Sequence, residues 1–223
     1  MKGIIWTKQP IQSTESKIAT VLKDYKYISK RYGVILMLAV FVMLGLIVGA
    51  VVSQNVDENT LKVLDFLFLT DYKARLEISL FSVFVASISA YFVFYLIQIL
   101  MGFSAWGFIF MPITTFLKGF GTGISAGYLA STLSFTGVGF YILVMLPATV
   151  VSIISLLIQG KESFYLSKNI LKLLIRRKEE NFKSSSFSLS KFFTISANML
   201  ILVALSAGID VLTTLCFSNL FSF

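Results

Sequence analysis

Apolar positions fall into five long runs, residues 34–53, 78–100, 103–133, 137–158 and 192–217, and polar segments separate most of them. A helix needs about 20 apolar residues to cross the hydrocarbon core of a bilayer, and each run supplies them. Only Lys118 and Asp210 are charged within the runs. The pattern predicts an all-α, polytopic bundle of five transmembrane helices. Residues 34–217 form the membrane domain, preceded by a basic segment at 1–33.

Composition agrees. Of 223 residues, 57% are hydrophobic and 13% charged, where a water-soluble domain carries about 25% charged residues. Lipid is therefore expected to solvate most of the surface. A net charge of +8 would suggest nucleic acid in a soluble protein. Here the basic residues concentrate in two connecting segments, so no nucleic-acid partner is expected.

Those two segments set the expected orientation. The first holds Lys2, Lys8, Lys17, Lys23, Lys26, Lys30 and Arg31. The second, residues 159–191, holds Lys161, Lys168, Lys172, Arg176, Arg177, Lys178, Lys183 and Lys191. With five crossings they share a side, which the positive-inside rule makes cytoplasmic. The N-terminus is then inside and the C-terminus outside. Residues 54–77 form the one sizeable external segment, and it carries Asp57, Glu58, Asp65, Asp71 and Glu77. The basic start is too long, and the first apolar run too extended, for a cleaved signal peptide, so the first run is expected to remain as a helix.

Two cytoplasmic stretches have helical apolar spacing between lysines. One contains Ile18, Val21, Leu22, Tyr25, Ile28 and Tyr32; the other contains Phe164, Ile170, Leu171, Leu174 and Ile175. Such helices lie in the membrane interface or pack on a bundle. Residues 181–190, with Ser184, Ser185 and Ser186, read as a flexible connector. Leu61, Leu64, Phe68 and Tyr72 suggest a surface helix outside.

Side-chain chemistry is sparse. There is no histidine, and Cys216 is the one cysteine, a small apolar residue here. No catalytic, metal-binding or cofactor-binding set is predicted. Gly119, Gly123, Gly127 and Ser131 recur every fourth residue, and Gly45 and Gly49 repeat the spacing. Small residues let helix backbones approach closely in lipid, within one bundle or between two copies. Pro112 and Pro147 each remove a backbone donor and should kink or break a helix. A re-entrant piece ending near Pro112, with a crossing from Ile113, is one expectation. Lys118 and Asp210 have three readings: snorkelling to the interface, a mutual ion pair, or a place on a transport path.

Phe116, Leu117, Lys118 and Gly119, followed by Gly123, Ala126 and Gly127, resemble a motif of the stage II sporulation protein M family. Leu146-Pro147 and Gly45, Gly49 and Ala50 are further points of similarity. The resemblance implies a non-catalytic scaffold of the bacterial cytoplasmic membrane that holds peptidoglycan hydrolases during engulfment. It implies no site residues, and the external segment is poorly matched. Two other roles compete: the membrane subunit of an ATPase-driven exporter, and, more weakly, an intramembrane enzyme.

Overall fold

The structure, a computed structural model, describes residues 12–55, 57, 59–60, 79–175, 189–217 and 220, with side chains from Tyr32 onward. Every element among them is helical: α1 (Gln12–Val52) with a 3-10 turn at Ser53–Asn55, α2 (Leu80–Gly102), α3 (Gly107–Phe140), a π turn at Tyr141–Met145, α4 (Leu146–Ile175) and α5 (Leu189–Phe217). Most of the external segment and the serine connector lie outside the described residues.

Four helical runs are long and apolar enough to cross a membrane: Tyr32–Asn55, Leu80–Gly102, Gly107–Ile175 and Leu189–Phe217. The third joins the two middle runs of the sequence. Within it Ser134 has φ 50° and ψ −129°, the one non-helical residue inside α3. There the chain reverses. Gly137 packs so closely on the preceding helix that a β-carbon would overlap the Leu129 carbonyl oxygen. Ile124, Tyr128 and Leu129 before the turn close a core cluster with Phe140, Val144 and Met145 after it.

Inter-helix contacts give the directions. Val42, Leu46 and Ala50 face Gly119, Gly123 and Gly127 in ascending order, so α1 and α3 run parallel. Gln98 faces Gly160 and Gly102 faces Ser163, so α2 and α4 run parallel. Ser87 bonds Asp210, and Tyr95 bonds Ser196, so α5 is antiparallel to α2. The starts of α1, α3 and α5 and the ends of α2 and α4 therefore lie together.

The expected break at Pro112 is absent. α3 begins at Gly107 and continues through Pro112, so residues 103–112 are a turn followed by helix, not a re-entrant piece. Proline removes the one bond that the Phe108 carbonyl would accept, and the helix stays regular around it; in the next turn Thr114 donates to Met111 O (2.8 Å) and Thr115 to Pro112 O (2.9 Å). At Pro147 the helix does deviate. The π turn precedes it, with the Leu146 N–H donating to Tyr141 O. Across to α5, Thr213 Oγ1 donates to Val144 O at 2.7 Å.

Residues 159–175, expected as part of a connection with an interfacial helix, instead continue α4 without a break. α1 likewise runs on from the basic segment into the first apolar run.

The surface is apolar and the interior partly polar. Leu36, Met43, Ile47, Phe81, Leu100, Ile201, Leu205 and Leu212 are exposed, while Ser87, Gln98, Ser155, Gln159, Ser163 and Ser206 are buried. Water would penalise that arrangement, because so much apolar area would remain exposed. Lipid favours it, since polar groups must then find partners inside the bundle. The chain is a helical membrane protein in its construction.

Candidate functional site: a polar seam inside the bundle

The small-residue stripe lies between α1 and α3, where it interlocks from both sides. A β-carbon on Gly45 would overlap Phe116 O, and one on Gly49 would overlap Phe120 O. In return Gly119 meets Val42 O, Gly123 meets Leu46 O, and Gly127 meets Ala50 and the Ser53 hydroxyl. Five glycines from two helices thus put backbone against backbone along several turns. Ser131 is exposed and donates to Tyr128 O in its own helix (3.0 Å).

Lys118 and Asp210 approach one face of α2. Lys118 is 3% exposed and Asp210 0%. The Lys118 ammonium lies 4.6 Å from the centre of the Tyr91 ring and 5.2 Å from that of Phe94. Negative ring faces stabilise a cation where water is excluded. Ser87 donates to Asp210 Oδ2, and Thr214 Oγ1 donates to the Asp210 carbonyl at 2.7 Å. Ser87 and Tyr91 are four residues apart on α2, a separation that puts side chains about 6 Å apart on one helix face. The two charges are therefore anchored on consecutive turns in the middle of the bundle. This differs from snorkelling, which would carry the ammonium to a helix end. The Tyr91 and Phe94 rings hold it at mid-helix depth.

A longer polar seam extends from there between α2, α4 and α5. α4 contributes Ser152, Ser155, Gln159, Ser163 and Ser167, all buried and spaced three or four apart. α5 contributes Ser196 and Ser206, and α2 contributes Gln98. Gln159 Nε2 donates to Ser196 Oγ (3.0 Å) and Ser163 Oγ (3.3 Å). Tyr95 donates its hydroxyl to the Ser196 carbonyl. At the seam's end Ser167 clamps the α2–α3 turn, accepting from the Phe108 N–H (2.9 Å) and donating to Ser104 O (2.6 Å). The first turn of a helix has N–H groups without helical partners, and Ser167 satisfies one of them from another helix.

Gln98 and Asn198 are the two amide side chains within the apolar runs. Gln98 is fully buried, whereas Asn198 faces outward. The α4 stripe is not singled out by the apolar pattern, whose fourth run ends at residue 158. Lys161 and Glu162 interrupt the apolar run there and disguise a helix whose opposite face is buried. Those two side chains pair at 3.3 Å. Among the described residues no cluster of three or more His, Cys, Asp or Glu could hold a metal ion.

No family model, curated protein or solved structure matches the chain.

Proposed function

We propose that the chain is a five-crossing protein of a bacterial cytoplasmic membrane and that it acts as a non-catalytic scaffold for peptidoglycan hydrolases. The Ser134 reversal supports reading the long third run as two crossings. Lys161, Lys168, Lys172 and Lys191 lie at the end that α4 and α5 share with the start of α1, which favours a cytoplasmic N-terminus. The scaffold reading rests on one observation. Gly119, Gly123 and Gly127, within the motif that resembles the sporulation family, lie backbone to backbone against α1, a role in shape rather than chemistry. Crosslinking from residue 59 in the native membrane, followed by purification, tests it. Recovery of wall hydrolases supports the scaffold, and recovery of none removes its basis.

A second reading is favoured by the buried seam: the membrane subunit of a transporter. Intramembrane charges and aligned polar groups are what a solute path requires. Co-purification of an ATPase from the cytoplasmic face would select this reading.

A further inference from the structure

Gln98 and Gln159 occupy the same groove between α2 and α4. The Gln98 amide lies against Gly160, where a β-carbon would sit 3.0 Å from Nε2 and 3.2 Å from Oε1. Gln159, the residue before Gly160, reaches Ser163, and Ser163 packs on Gly102, one turn along α2 from Gln98. Both glutamines are 0% exposed. Gln98 Nε2, Gln98 Oε1 and Gln159 Oε1 have no hydrogen-bond partner among the described residues.

Buried amide atoms are rarely left unbonded, because desolvation without a replacement bond is costly. Whatever meets these three atoms must donate to two oxygens and accept from the two N–H groups of the Gln98 amide. A cation cannot accept and a simple anion cannot donate, whereas water does both. We propose that water enters the bundle at the Ser104–Ser167 end and hydrates the groove as far as Gln98 and Gln159. The hydroxyls of Ser163 and Ser196 line the way, and both bond Gln159. The Tyr95 hydroxyl, bonded to Ser196 O, closes the inner side. Ser87, which holds Asp210, lies eleven positions before Gln98, about 16 Å farther along α2 at 1.5 Å per residue. The hydrated groove thus stops short of Asp210, whereas Lys118, over Phe94, lies one turn from Gln98. The proposal rests on neither functional reading, since a scaffold and a transporter would hydrate it alike.

The test uses full-length protein with Cys216→Ser and one introduced cysteine. Methyl methanethiosulfonate is small and neutral, and it reacts with the thiolate, which forms readily only where water is present. Gln98→Cys should react at least about tenfold faster than Ala90→Cys, although both sites are fully buried. A smaller ratio overturns the proposal. Prior treatment with a membrane-impermeant cationic methanethiosulfonate, added on the side of Lys168 and Lys172, should block Ser163→Cys. Block only from the other side, or from neither, overturns the entrance. If the cysteine variants fold poorly, Gln98→Met gives an independent answer. In a dry groove it would remove an unbonded amide and raise the Tm in detergent, which refutes hydration; no rise upholds it.

Discussion

Gly123 and Leu46 meet backbone against backbone: a β-carbon on Gly123 would overlap the Leu46 carbonyl oxygen. Neither partner is a flexible side-chain tip, so nothing yields cheaply. Gly123→Ala should cost about 2 kcal/mol, in the range for overpacked cores. Gly208 has no atom within 4 Å of its would-be β-carbon. Gly208→Ala should therefore stabilise α5 by about 0.5–1 kcal/mol through reduced backbone entropy. Unfolding midpoints in detergent for the two variants, measured side by side, should move in opposite directions.

Lys118 and Asp210 are both anchored to α2, and their energies should be coupled. Lys118→Met alone and Asp210→Asn alone should each destabilise the protein. The double variant should lose less than the sum, by about 1 kcal/mol or more. Additive losses in a denaturation cycle would show that the two groups act independently.

Ser134 bears a positive φ of 50°, a conformation that costs a residue with a β-carbon about 1–3 kcal/mol. Ser134→Gly should raise stability by about 1 kcal/mol, and Ser134→Val should lower it. Thermal melts of the two variants would reveal a relaxed turn if they coincided.

Ser167 ties the end of α4 to the turn before α3. Ser167→Ala strands the Phe108 N–H and frees Ser104 O, a loss of about 1–2 kcal/mol by analogy with helix caps. Hydrogen exchange should quicken at Phe108 and its neighbours while α5 stays protected. Uniform protection would mean that the clamp contributes nothing.

For the proposed orientation, a cysteine at Asn59 in a Cys216→Ser background should label from outside intact cells. One at Ser185 should label only after permeabilisation. Reversal of the two would invert the topology.

The apolar runs were legible because hydrocarbon accepts no unbonded backbone and leaves long stretches of Leu, Ile, Val and Phe in the sequence. The glycine spacing was legible too, since only a small side chain permits the approach seen at Gly45 and Gly119. The Ser134 turn was not. Serine is an ordinary residue, and the usual marks of a reversal, glycine or proline, are missing at that position. Gln159, Ser163 and Ser167 were hidden for another reason: mean hydropathy averages around a helix and cannot separate the buried face from the one bearing Lys161 and Lys168. At Pro112 the sequence shows the missing donor but not that the helix stays regular on both sides of it. The depth of Lys118 depends on Tyr91 and Phe94, which come from a different helix.

The parallel pairing of α1 with α3 has a consequence for synthesis. A ribosome releases α1 first, α2 next, and the matching glycines of α3 only after residue 127 has emerged. Until then Gly45 and Gly49 have no counterpart, and α1 must wait in the lipid beside the insertion machinery. Nascent chains arrested before residue 119 should leave α1 unlocked and open to intramembrane proteolysis, and the full-length chain should resist it. Assembly of this bundle therefore has an obligatory order.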